Sequence, residues 1–185
     1  MRANSLSAAF HRRCETTSTD QRVLLGLRAF DPLLAQILAE KLDAQVLTLE
    51  QFASISFNQV DHLLSSDKWS AAILCHEPLM IVINPNHAPV RRESDLMHEL
   101  GHVLLNHPMA QFHPETGLPL RSQVHEEEAT FLGSCLQVPR RGLFWAMQFN
   151  WSLTKIANHF GASESMVKFR LNMTGALNCD LQPHF

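Results

Sequence analysis

Tyrosine is absent from the 185 residues, so no phenol can serve a reaction centre as oxyanion partner, and of the Tyr and His side chains that often do so beside a metal only histidine remains, of which there are 11. Cysteine is scarce. Cys14, Cys75, Cys135 and Cys179 lie far apart and form no C-x-x-C pair. That spacing argues against a disulfide framework and fits reduced thiols in a cytoplasmic protein. No apolar run reaches the ~18 residues that a transmembrane helix needs, and no apolar secretory core follows the Ser/Thr/Arg-rich stretch Met1 to Asp20. Positive charge is not in excess: 15 Lys and Arg against 18 Asp and Glu give a net charge of −3, which argues against broad electrostatic binding of nucleic acid. What remains is ordinary globular composition, with 45% hydrophobic and 18% charged residues, at a length that suits one compact domain with or without a small appendage.

Against that background, His98-Glu99-Leu100-Gly101-His102 stands out as an H-E-x-x-H sequence. Leu96, Met97, Leu100, Val103, Leu104 and Leu105 surround it without a proline, so it reads as helix. Residues four apart share a helix face, which lets His98 and His102 hold one Zn²⁺ together. Glu99 lies beside them and suits the removal of a proton from a metal-bound water. Met97, Leu100, Gly101 and Leu104 fall on the apolar side of the wheel. Ser94 reads as the N-cap, and Pro108 follows the end.

A catalytic zinc site needs a third protein ligand and an open position. The candidate donors are Glu126, Glu127 and Glu128, which open a helix running to Gln137 before Pro139. Ala129, Leu132, Gly133 and Leu136 form its apolar side, and the small Ala129 and Gly133 permit close approach to another helix. Glu126 lies next to that strip and is the first choice for the ligand; Glu128 is the alternative. All three acids also suit a helix N-terminus through the macrodipole. Cys135 lies nearly opposite Glu126 and is a poor ligand. His107, His113 and His125 are the candidate oxyanion partners, although each also reads as a plain surface residue.

With these residues in view, the chain resembles the ImmA/IrrE-type metallopeptidases, a gluzincin-like group of bacteria and their phages. The resemblance rests on Ile81 to Asn84, on Arg91 to Met97 leading into His98-Glu99 and on to His107, and on Glu126 to Ala129 running to Leu136 and Pro139. It covers roughly the middle third of the chain, and H-E-x-x-H is its specific part. Thr130 stands where the family has Asn or Asp, Leu132-Gly133 where it has Phe-Ala, and Leu136-Gln137-Val138 where it has Leu-Leu before proline. The resemblance implies one Zn²⁺ held by His98, His102 and Glu126, Glu99 as the catalytic base, and hydrolysis of a peptide bond in a regulatory protein such as a transcriptional repressor.

The expected fold is α+β: a zincin-like catalytic domain with a small antiparallel or mixed sheet, an active-site helix, and C-terminal helices resembling a helix-turn-helix. Residues 1–20 read as a disordered tail, 21–140 as the metallopeptidase domain, and 141–185 as a helical subdomain packed on it. Asp31 and Pro32 are expected to start a helix bearing Leu33, Leu34, Ile37, Leu38 and Leu42. Val46 to Leu49 reads as a strand, and a helix is expected near Asn58 to Leu64. Ala71 to Cys75 and Leu79 to Asn84 read as an antiparallel hairpin turning at His76-Glu77-Pro78. A peptide substrate would add as a strand to the sheet edge. His107 to Gln123 reads as a long loop at the rim of the cleft.

Leu153 to Leu171 reads as helix, turn, helix, with Gly161 in the turn and Ser163 as cap. Its second helix offers Glu164, Lys168 and Arg170, too thin a cationic supply to favour direct DNA binding. Phe144, Trp145, Phe149 and Trp151 are expected to form a packing seam. The expected partner is therefore a protein or peptide, a DNA-binding regulator in particular, with no membrane. The alternative is a non-catalytic zinc-binding regulator, or a toxin–antitoxin component, acting through the helix-turn-helix.

Overall fold

Helices that carry small residues can pack close enough to share a site, and that contact organises the protein. In a computed structural model, residues 6–48, 50–51, 69–108, 111–112, 119–120 and 122–175 are described. The chain runs through α1 (Ala8–Leu24), α2 (Ala35–Lys41), β1 (Gln45–Thr48), β2 (Ala71–His76), β3 (Leu79–Ile83) and α3 (Pro89–Leu104). It continues through β4 (Gln111–Phe112), β5 (Pro119–Leu120), α4 (Gln123–Gln137), α5 (Arg140–Gln148), α6 (Leu153–His159) and α7 (Glu164–Thr174). The fold is α+β, as expected. β3 is central in a mixed three-stranded sheet of order β1-β3-β2, parallel to β1 and antiparallel to β2. The 71–76/79–83 hairpin turns at Glu77-Pro78. The helix expected near Asn58 to Leu64 lies outside the described residues.

α3 packs on the sheet and on α4. Pro89 opens it, where a missing N–H costs nothing. Ser94 is therefore not the N-cap: it lies inside the helix, where its Oγ donates to Gln137 Oε1 at 2.9 Å and also lies 3.2 Å from the Val90 carbonyl oxygen. Leu96, Met97, Leu100 and Gly101 are buried. A Cβ at Gly101 would lie 2.8 Å from the Ala129 carbonyl oxygen, and one at Gly133 would lie 2.9 Å from that of Met97. Both glycines are thus required by backbone contact between α3 and α4.

Residues 8–20 correct the expected disordered tail: they belong to α1, capped by Ser7 Oγ accepting from Phe10 N–H at 3.1 Å. Its inner face is polar, which hides it from hydrophobic periodicity. Ser18 Oγ donates to the Cys135 carbonyl at 2.6 Å, and Arg22 Nη2 donates to the Leu136 carbonyl at 2.7 Å. From the other side, Arg170 Nε of α7 donates to the Val138 carbonyl at 2.9 Å and pairs with Glu15. Side chains of α1 and α7 thereby satisfy carbonyls at the C-terminal end of α4, which helix geometry leaves open. Burial pushes the Cys14 thiol up to about 12, so it stays protonated at neutral pH.

α2 starts at Ala35, not at Pro32. Asp31 closes a turn with Arg28, whose N–H it accepts at 2.8 Å, and Glu93 of α3 accepts the Ala35 N–H at 2.6 Å in place of a local cap. The span expected as a long loop from His107 to Gln123 contains the antiparallel pair β4–β5. α4 begins at Gln123, one turn before Glu126. α6 and α7 meet at about the expected turn, where Gly161 has φ 59° and Ser163 Oγ accepts from Met166 N–H at 3.1 Å. Phe144, Trp145 and Trp151 pack as foreseen, and Phe149, 61% exposed, meets Trp145 edge-on at the outside of the seam with ring centroids 5.5 Å apart. Gln137 Nε2 donates to the Gly161 carbonyl at 2.8 Å, tying α4 to that turn. Phe169 and Met173 pack on the core around α3 and α4.

Gly133→Ala should lower stability in urea unfolding by about 1–3 kcal/mol, because the helices cannot separate without losing their contact. Glu15→Ala should cost about 3 kcal/mol in the same assay, since Arg170 is fully buried and would lose its carboxylate.

Candidate metal centre

Two turns of α3 and the first turns of α4 define the site. His98 and His102 lie one turn apart on α3, and Glu126 on α4 faces both. His98 Nε2 is 3.1 Å from Glu126 Oε2 and 3.1 Å from His102 Nε2, and His102 Nε2 is 3.3 Å from Glu126 Oε1. Four tetrahedral ligands about 2.0–2.1 Å from zinc are separated by roughly 3.3–3.4 Å. The two imidazole nitrogens therefore lie at nearly the separation of two ligands on one zinc, each with a different oxygen of the Glu126 carboxylate at a similar distance, and the donor set, two imidazoles and a carboxylate, is one zinc favours. Among the described residues, these three form a group whose donor atoms lie within 4.8 Å of one another.

The outer nitrogens of both rings are engaged elsewhere. His98 Nδ1 is 3.3 Å from Thr130 Oγ1, so the hydroxyl occupies the position where an amide or acid was expected from the resemblance. His102 Nδ1 is 2.9 Å from His107 Nδ1. His107 Nε2 is in turn 3.0 Å from Glu128 Oε2. Glu128, the alternative ligand, thus points at His107 and stands outside the three-atom cluster. His107 is buried, contrary to its reading as a surface residue, and burial pushes its imidazole below the usual histidine range while Glu128 pulls it back. His125 stacks on it with ring centroids 4.4 Å apart. His113 lies outside the described residues.

Glu99 is 2% exposed and lines a cleft of about 350 Å³ together with His98 and Glu126. Ser70 and Ala71 at the start of β2, Thr130 and Ser134 of α4 and Met166 of α7 also line it. Within the three-stranded sheet, β2 is an edge strand. Asp95, one turn before Glu99, also borders the cleft; His87 Nδ1 holds its carboxylate at 3.1 Å. Neither Asp95 nor His107 carried a distinctive signal. A hint for His107 lay in Asn106-His107 just past the helix, a pairing suited to a left-handed cap. Arg170, counted as a cation available to DNA, is buried against Glu15 and Val138, which leaves Lys168 as the exposed base among the three side chains considered on α7.

The polar groups of the cleft converge where α3 crosses α4, and the surrounding fold has counterparts among known proteins. A solved structure of a Mycobacterium tuberculosis transcriptional regulator superposes with a TM-score of 0.56 at 16% sequence identity, over 92% of this chain and 48% of that one. The chain thus spans about half the length of that regulator, and the likeness is one of fold. No curated protein matches the sequence. The model of the IrrE N-terminal-like domain, a peptidase family, matches residues 39–172, which include both α3 and α4, and the chain belongs to that family.

Proposed function

We propose that the protein is a zinc-dependent metallopeptidase that hydrolyses a peptide bond in a regulatory protein such as a transcriptional repressor. The observation that carries this reading is the spacing of His98 Nε2, His102 Nε2 and Glu126 on one point, beside the buried Glu99 and at the floor of a cleft. His98, His102 and Glu126 would hold one Zn²⁺. Bound there, zinc would act as a Lewis acid toward water and the scissile carbonyl.

The remaining chemistry belongs to the chain. Glu99 accepts a proton from the attacking water and gives it to the departing amine. Its low exposure keeps bulk water from competing for that proton. The β2 edge beginning at Ala71 offers backbone groups to an extended peptide, so the substrate lies along the cleft as an added strand. α5, α6 and α7 form a subdomain packed on the catalytic part, and Met166 brings it to the cleft. A non-catalytic role through DNA is disfavoured by the burial of Arg170. Support for the peptidase reading comes from the family, and a regulator as substrate is what the resemblance to the ImmA/IrrE group implies.

Glu99→Gln should keep one zinc per chain and lose cleavage by a factor on the order of 10²–10⁴. Mass spectrometry of a peptide library incubated with the zinc-loaded protein measures this, and cleavage at the wild-type rate would remove Glu99 from the mechanism. Glu126→Ala should abolish stoichiometric zinc in metal analysis of untagged protein, while Glu128→Ala should still fill one site at saturating metal. Reversal of those two results would exchange their roles.

A further inference from the structure

The turn that ends α3 places His107 against His102. Asn106 has φ 55°, in the left-handed region that Asn tolerates better than most residues. His107 N–H donates to the His102 carbonyl at 3.0 Å, and Asn106 N–H donates to the Val103 carbonyl at 3.0 Å. This pair of bonds is the Schellman motif, which brings the second residue after the cap onto the side chain three positions before it. That contact is ordinarily apolar. Here both partners are imidazoles, with Nδ1 atoms 2.9 Å apart.

Two nitrogens at that distance share one proton, and their other neighbours decide which one carries it. His102 Nε2 faces His98 and Glu126. A ligand role there requires a lone pair on Nε2 and leaves the proton on Nδ1. His107 Nδ1 must then accept. A neutral imidazole that accepts at one nitrogen donates at the other, and His107 Nε2 lies 3.0 Å from a Glu128 carboxylate oxygen. Donors and acceptors alternate along the whole chain, with no charged ring required. The stacked His125 holds the His107 ring by its face. Glu128 and His125 both belong to α4, so the helix that carries Glu126 also braces a histidine facing it.

We propose that His107 and Glu128 are positioning residues of the metal centre. They hold His102 in the tautomer and ring rotation that leave Nε2 open to the ion. The inference rests on the metal-site reading above and needs no cleavage to be tested. The comparison of His107→Asn, His107→Gln and His107→Ala isolates it. An Asn amide sits near the former Nδ1 and still accepts from His102. A Gln amide sits near the former Nε2 and serves only Glu128.

Zinc affinity, measured by competition with a chromophoric chelator, should fall on the order of 10–100-fold in His107→Ala and His107→Gln. It should be largely recovered in His107→Asn. Glu128→Gln keeps an acceptor oxygen without the charge and should fall between wild type and His107→Ala. In zinc-loaded wild type, a long-range ¹H–¹⁵N spectrum should show a slowly exchanging proton on His102 Nδ1. A purely structural role would lower apo-protein unfolding stability in all the variants and leave zinc affinity unchanged, and that result overturns the proposal. An unprotonated His102 Nδ1 in the zinc-loaded wild type overturns it without recourse to any variant. Failure of the peptidase reading looks different: zinc binds with the ranking above and no peptide is cut. A wild-type protein that binds no zinc sinks both.

Discussion

Backbone contact between α3 and α4 is the constraint from which the site follows. A glutamate on one helix reaches two imidazoles on another only when the helix axes are close, and ordinary side chains at the crossing would hold them too far apart. Gly101 against the Ala129 carbonyl and Gly133 against that of Met97 remove the obstacle on both helices. The same closeness sets the Nε2-to-carboxylate distances of 3.1 and 3.3 Å. The motif glycine of His98-Glu99-Leu100-Gly101-His102 is thus part of the architecture of the site and supplies none of its chemistry.

α4 is held at both ends, and each end matters to the cleft. Its first turns present Glu126 to the two histidines and Glu128 to His107. Carbonyls at and just past its C-terminal end receive Ser18 and Arg22 of α1 and Arg170 of α7. A helix anchored this way has little freedom to slide along α3. Elements remote in sequence from the metal motif therefore help to hold Glu126 in register. Gln137 adds a bond from α4 to the Gly161 turn, so the C-terminal helices are coupled to the same scaffold.

The histidine pair, the choice of Glu126 over Glu128 for the three-atom cluster, and the β2–β3 hairpin were all legible in the sequence, because each rests on a short-range period or on a small residue at a predictable place on a wheel. α1 was not. Its inward side chains are Cys14, Ser18, Gln21 and Arg22, a largely polar set in which Ser18 and Arg22 reach carbonyls more than a hundred residues away. No local pattern announces such a face. The start of α2 was misplaced for a related reason: Glu93, distant in sequence, caps Ala35. Arg170 looked like a surface cation because its partner Glu15 belongs to that same unseen helix. The contact of His107 with His102 escaped because His107 follows the helix, and only the left-handed Asn106 turns it back.

Membership of the IrrE N-terminal-like domain family and the geometry at the α3–α4 crossing support the central proposal, that two imidazoles and one carboxylate of this chain bind zinc. X-ray absorption at the zinc edge of the loaded protein tests it most directly. The account requires two imidazole nitrogens at about 2.0–2.1 Å, completed by oxygen at about 2.0–2.2 Å, with no sulfur. A shell at the zinc–sulfur distance of about 2.3 Å, or a third imidazole in the first shell, would contradict it.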